Sequence, residues 1–110
     1  MRGGSRRSKE LRCALIELAH GSIQEVGDCE ELIKEVESME ASRWWNPMVV
    51  VLPEEYQNYE PTGEDGEINR IFDGKYRLED YAVAGPSEFP GYAAQYEEYF
   101  EENRKRFGLE

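Results

Sequence analysis

Residues 9–21, KELRCALIELAHG, decide how this chain is built: they form its first apolar segment, and later elements must pack against it. Leu11, Leu15 and Leu18 recur at i, i+4 and i+7, and Ala14 and Ile16 widen the stripe. Gly21 stands where a C′ glycine would end a helix, so the spacing predicts a helix over about 9–20. Asp28 then offers an N-cap with Glu31 three residues later, as in a capping box. Leu32, Val36 and Met39, with Ile33 beside them, extend that signal to a second helix over 29–42. The short connection 22–27 favours an antiparallel helix pair.

Working outward, Asn46-Pro47 breaks the helical pattern, because the residue before proline is pushed out of the α region. Residues 48–52 (MVVVL) are apolar, largely β-branched and stopped by Pro53, which predicts a buried central strand. Residues 61–67 (PTGEDGE) read as a loop. Residues 68–83 have the outline of a hairpin turning at Asp73-Gly74. Residues 92–107 read as a third helix ending at Gly108, with acids ahead of bases as the helix dipole prefers. The expected architecture is α+β: two N-terminal antiparallel helices, a small antiparallel or mixed sheet (strand 48–52, hairpin 68–83) and a C-terminal helix. Residues 1–8 form a flexible basic tail, and 9–108 a single acidic domain. Its core is expected to contain Leu11, Leu15, Leu18, Leu32, Val36, Val50, Leu52, Phe72, Tyr96 and Phe100.

Charge bounds the partners. The chain carries 24 acidic and 13 basic side chains. Residues 1–12 hold five bases against Glu10 alone, net +4, and the other 98 residues hold 8 bases against 23 acids, net −15. Such a field repels nucleic acid and anionic membrane and steers the folded body toward basic protein surfaces. The arginines at the start are not followed by an apolar signal core, and the longest apolar run is far too short to span a bilayer. On that reading the protein is cytoplasmic, and Cys13 and Cys29 are reduced, buried thiols.

Nothing in the sequence assembles a catalytic constellation. His20, the single histidine, is expected at a helix C-terminus, where the dipole favours its cation. Cys13, His20 and Cys29 lack zinc-ligand spacing, and 64–67 (EDGE) lacks the spacing of a calcium loop. No metal, cofactor or enzymatic activity is implied. Binding is better supported. Adjacent side chains diverge by about 100° on a helix and 180° on a strand, so Trp44 and Trp45 do not both face one core without a break. The exposed one would be an interface anchor. Together with Glu54, Glu55, Tyr56, Tyr59, Glu64, Asp65 and Glu67 it forms the expected partner-binding set. The expected function is that of a small acidic inhibitor or immunity-type protein occluding a basic nuclease or other nucleic-acid-binding enzyme. The alternatives are a non-catalytic accessory subunit docking through its Trp/Tyr surface and a small enzyme.

Overall fold

The computed structural model describes residues 11–42, 44–87 and 91–109, with the side chains of residues 91–93 excepted. The expected tail, 1–8, lies outside the described residues. The deciding segment is not a helix. Arg12–Glu17 is a strand, β1, followed by a tight turn and a second strand, β2, Ser22–Asp28. The expected pair of N-terminal helices is therefore replaced by a β-hairpin followed by one helix.

The strand has a physical cause. β1 is an inner strand, in a sheet of order β2-β1-β3-β4 (β3, Pro47–Val51; β4, Ala82–Ala84) whose neighbours all run antiparallel. Cys13 and Leu15 enter the core on one face, and Ala14 and Ile16 the core on the other. A strand buried on both faces reads as a continuous apolar run rather than an alternating one. The leucine stripe is a coincidence of that run: Leu11 and Leu15 pack on one side of the sheet and Leu18 on the other. Gly21 has φ +70° and closes the hairpin turn, its N–H donating to the Glu17 carbonyl at 2.8 Å.

Helix α1, Cys29–Glu37, begins where the capping signal put it. The Asp28 carboxylate accepts the Glu31 N–H at 3.1 Å, which satisfies one of the helix's orphan donors. It ends at Glu37 rather than 42. Its stripe of Leu32, Ile33 and Val36 covers the first face of the sheet, against Cys13, Leu15, Val49 and Val51. Cys13 and Cys29 are joined by a disulfide with Cα atoms 4.8 Å apart. This corrects the expectation of free thiols and ties β1 to the first residue of α1. Strand β3, Pro47–Val51, lies beside β1 with Val50 opposite Ala14, and it is buried throughout, as the apolar run required.

The second face is covered by what was expected to be a hairpin. Residues 68–83 instead contain most of α2 (Glu67–Phe72), then α3 (Leu78–Tyr81) and the start of β4 (Ala82–Ala84). Ile68, Ile71 and Phe72 stand at i, i+3 and i+4, the spacing of a helix face, and all three are buried. Asp73-Gly74 does supply two positive φ values, 49° and 68°. They end a helix, with the Asp73 N–H on the Asn69 carbonyl at 2.7 Å, and do not turn a hairpin.

At the C-terminus, Gly91–Tyr96 is 3₁₀ and the α-helix, α4, spans Glu97–Arg106, so the expected helix is regular only in its second part. Gly108, φ 73°, closes it as expected: its N–H reaches the Lys105 carbonyl and that of Leu109 the Arg104 carbonyl. Of the expected core, Leu15, Leu32, Val36, Val50, Leu52, Phe72 and Phe100 are buried, while Leu11, Leu18 and Tyr96 are half-buried at its rim.

Candidate functional site

One end of the sheet gathers most of the polar chemistry. The β1–β2 turn is held there by two interior carboxylates, Glu17 and Glu67. Glu17 Oε1 accepts the His20 backbone N–H at 2.8 Å and meets His20 Nδ1 at 2.7 Å, while Oε2 accepts the Asn46 N–H at 3.0 Å. Burial pushes this carboxyl up, but the donors from Asn46 and His20 outweigh it, and the group stays below its ordinary value. The hydrogen bond to Glu17, that carboxylate's charge and then the charge of Asp65 raise the His20 imidazole. His20 is thus set by a carboxylate in a turn, not by the helix dipole expected of it.

Glu67, in the first turn of α2, is wholly buried. Its Oε1 accepts the N–H groups of Gly63 at 2.9 Å and Ile23 at 3.2 Å. Its Oε2 accepts the Tyr59 hydroxyl and the Thr62 N–H, both at 2.6 Å. Burial again opposes ionisation, and the four donors again win, so the carboxyl is held below its usual range. Backbone bonds from Gly66 to the His20 carbonyl (2.7 Å) and from Ile68 to the Gly21 carbonyl (2.8 Å) dock α2 against the turn.

The tryptophans approach the same end from the other side. Residues 42–45 close on themselves, Ser42 N–H to the Trp45 carbonyl at 2.8 Å and Trp45 N–H to the Ser42 carbonyl at 3.3 Å. The Asn46 carbonyl accepts the Leu18 N–H at 2.9 Å, which fastens this turn to the sheet. Trp44 is 79% exposed, the one large apolar side chain so exposed among the described residues, and Trp45 is half-buried.

The expected partner-binding set therefore divides. Trp44, Trp45, Glu64 and Asp65 share the end of the sheet marked by the β1–β2 turn, and Glu64 and Asp65 are exposed. Glu67 belongs to that end but lies inside it, with no surface exposed. Glu54, Glu55 and Tyr56 sit at the opposite end of β1, roughly 17 Å away along the strand. There the Gln57 side chain bonds the backbone of Arg12 and Leu52. Glu55 is occupied by the Tyr76 hydroxyl at 2.5 Å and Lys75 at 3.5 Å. Tyr56 and Tyr59 are half-buried against the second core, ring centroids 6.2 Å apart, and Tyr59 spans toward Glu67.

Two features escaped the sequence. Glu17 and His20 are three apart across a turn, a spacing that becomes a signal only once residues 12–17 are read as a strand. Glu25 on β2 lies close to Glu35 and Glu31 on α1. Desolvation first, and then those neighbouring charges, hold its carboxyl above the ordinary value. Burial and the acids of α1 thus both disfavour the ionised form of Glu25. Among the described residues, no three His, Cys, Asp or Glu side chains are placed to hold a metal ion, and no helix is long and apolar enough to cross a membrane. No protein-family model, no curated protein and no solved structure matches the chain.

Proposed function

We propose that this chain is a small acidic protein-binding protein, an inhibitor or immunity-type protein that occludes a basic surface on a nuclease or other nucleic-acid-binding enzyme. Trp44 is the observation that carries this reading. It is a large apolar ring, exposed on a turn fastened to the sheet, at the same end as the exposed acids Glu64 and Asp65. Exposed tryptophan is the side chain that most often anchors an interface, and the surrounding negative field accelerates encounter with a basic partner. The mechanism is steric occlusion, with no bond made or broken by this chain. Glu54 and Glu55 lie apart from this end, and Glu55 is paired with Lys75.

The exposed tryptophan equally suits the competing reading, an accessory subunit that docks on a larger assembly through an apolar contact. Salt separates the two. The protein is immobilised as wild type, as Trp44→Ala and as Glu64→Lys with Asp65→Lys, and partners are captured from host lysate at low and high ionic strength. A basic partner retained by wild type, lost from both variants and released by salt supports the inhibitor. A partner lost only from Trp44→Ala and indifferent to salt supports the subunit. Partners held equally by all three proteins refute both assignments to this end of the sheet.

A further inference from the structure

A different face carries an independent inference. The chain is strongly acidic, yet a recess between α3 and the end of α4, and an adjoining one between Leu11 and the end of α4, are lined by Lys75, Arg77, Lys105 and Arg106, with Asp80 the one carboxylate among the described residues that line them. They share Arg106 and Phe107, and the first, about 350 Å³, is walled by Tyr76, Tyr81 and Phe107. We propose that this recess binds a small anion carrying a flat ring, the chemical class of a nucleoside monophosphate.

The walls are fixed before any ligand arrives. Phe72, Tyr76 and Tyr81 meet edge to face with centroids 5.5–5.9 Å apart, and Tyr81 leans on Phe107 at 5.7 Å. The Arg106 guanidinium donates to the Asp80 carbonyl and lies 4.7 Å from the Phe107 centroid and 6.0 Å from that of Tyr81. A guanidinium held over ring faces is a planar cation on which a base can stack.

The anion has its own partners. Lys75 and Arg77 are mostly exposed at the recess and pair with Glu55 and Glu79 at 3.5 Å. Exposed pairs of this kind are worth little, so both cations are cheaply transferred to a phosphate. Two features set the size of the ligand. The recess is at the small end of ligand pockets, which span about 300–1,000 Å³. A net charge of −11 repels a long polyanion while a local cluster of cations still holds a small one.

The test is an NMR titration of the wild-type protein with adenosine monophosphate, inorganic phosphate, adenosine and a short single-stranded oligothymidylate. The monophosphate should saturate, shift the amides of residues 75–81 and 104–108, and bind at least about tenfold more tightly than phosphate or adenosine alone. Arg77→Glu and Lys75→Glu, both at exposed positions, should each keep the wild-type melting temperature and lose about tenfold in that affinity. The proposal is overturned by an absence of saturable shifts at millimolar monophosphate, by shifts elsewhere, or by equal affinity for phosphate alone. Full affinity in the folded variants also overturns it. Tighter binding of the oligonucleotide would replace the small ligand with a nucleic acid.

Discussion

Glu67→Gln removes one charge and almost no volume, so it isolates what the buried carboxylate does. Each oxygen of Glu67 accepts two donors. An amide supplies one acceptor oxygen and one NH2 group, and that NH2 must replace an oxygen facing either Ile23 and Gly63 or Tyr59 and Thr62. The second choice is the milder, because the Tyr59 hydroxyl can rotate to accept, but it strands the Thr62 N–H against another donor. One orphaned buried N–H, together with the weakening of the remaining charge-assisted bonds, costs about 2–4 kcal/mol. Against a total stability of about 5–15 kcal/mol that is a large share. It corresponds to a fall on the order of 10–20 °C in the melting temperature of a domain this size. Thermal and urea unfolding followed by circular dichroism at neutral pH measures it, and hydrogen exchange at Thr62 and Gly63 should accelerate in the variant. Acid adds a second readout. The folded Glu67 carboxyl is held below its ordinary 4.5, so the unfolded chain takes up protons first. The stabilisation is complete above that ordinary value and drains away as pH falls through the depressed one. Wild type should therefore lose stability more steeply with acid than Glu67→Gln, whose side chain does not titrate. A variant melting within about 2 °C of wild type, with an unchanged acid limb, would refute the placement of Glu67 as an interior keystone.

Other outcomes follow from the same structure. Replacing Cys13 and Cys29 by serine opens a covalent loop with a sequence separation of 16 and should cost about 3 kcal/mol in non-reducing denaturation; an unchanged midpoint would mean the bond contributes nothing. Val50→Asp buries a charge between Ala14 and Ala82 at the centre of the sheet and should abolish the cooperative melt. Trp44→Ala should leave the melt untouched and raise the dissociation rate of the partner complex, by on the order of 2 kcal/mol; an unchanged rate would remove Trp44 from the interface. Glu64→Lys with Asp65→Lys should slow association at low salt and leave dissociation nearly unchanged, since exposed rim charges act on encounter.

The legible parts of the fold were those in which a local signal has one physical meaning. Asp28 with Glu31 marks a helix start, MVVVL before Pro53 a buried strand, and Gly108 a helix end, and the structure has all three. The illegible parts were those in which one pattern serves two structures. An apolar run with leucines at i, i+4 and i+7 fits a helix face, and it fits equally an inner strand whose two sides meet different cores. Only the sheet, which depends on residues far along the chain, decides between them. Asp73-Gly74 shows the same ambiguity, since positive φ closes hairpins and ends helices alike, and the helical spacing of Ile68, Ile71 and Phe72 was the finer clue.

Charge was the least legible property, because an acid inside and an acid outside look identical in sequence. What distinguishes Glu67 is the loop that precedes it. Gly63 and Gly66 adopt φ of 78° and 76°, which curl residues 62–66 back over the carboxylate and aim the Thr62 and Gly63 N–H groups at it. The exposed acids Glu64 and Asp65 ride on that curl, so their position at the β1–β2 end is set by the carboxylate beneath them. On the proposed reading, stability and partner recognition are therefore coupled at this loop. Reversing Glu64 and Asp65 changes exposed groups and their exposed partners Arg70 and His20, whereas reversing Glu67 with them would place a cation among four donors and unfold the loop that carries the other two. Loss of binding in such a triple variant would say nothing about charge at the interface. The double variant separates the two effects.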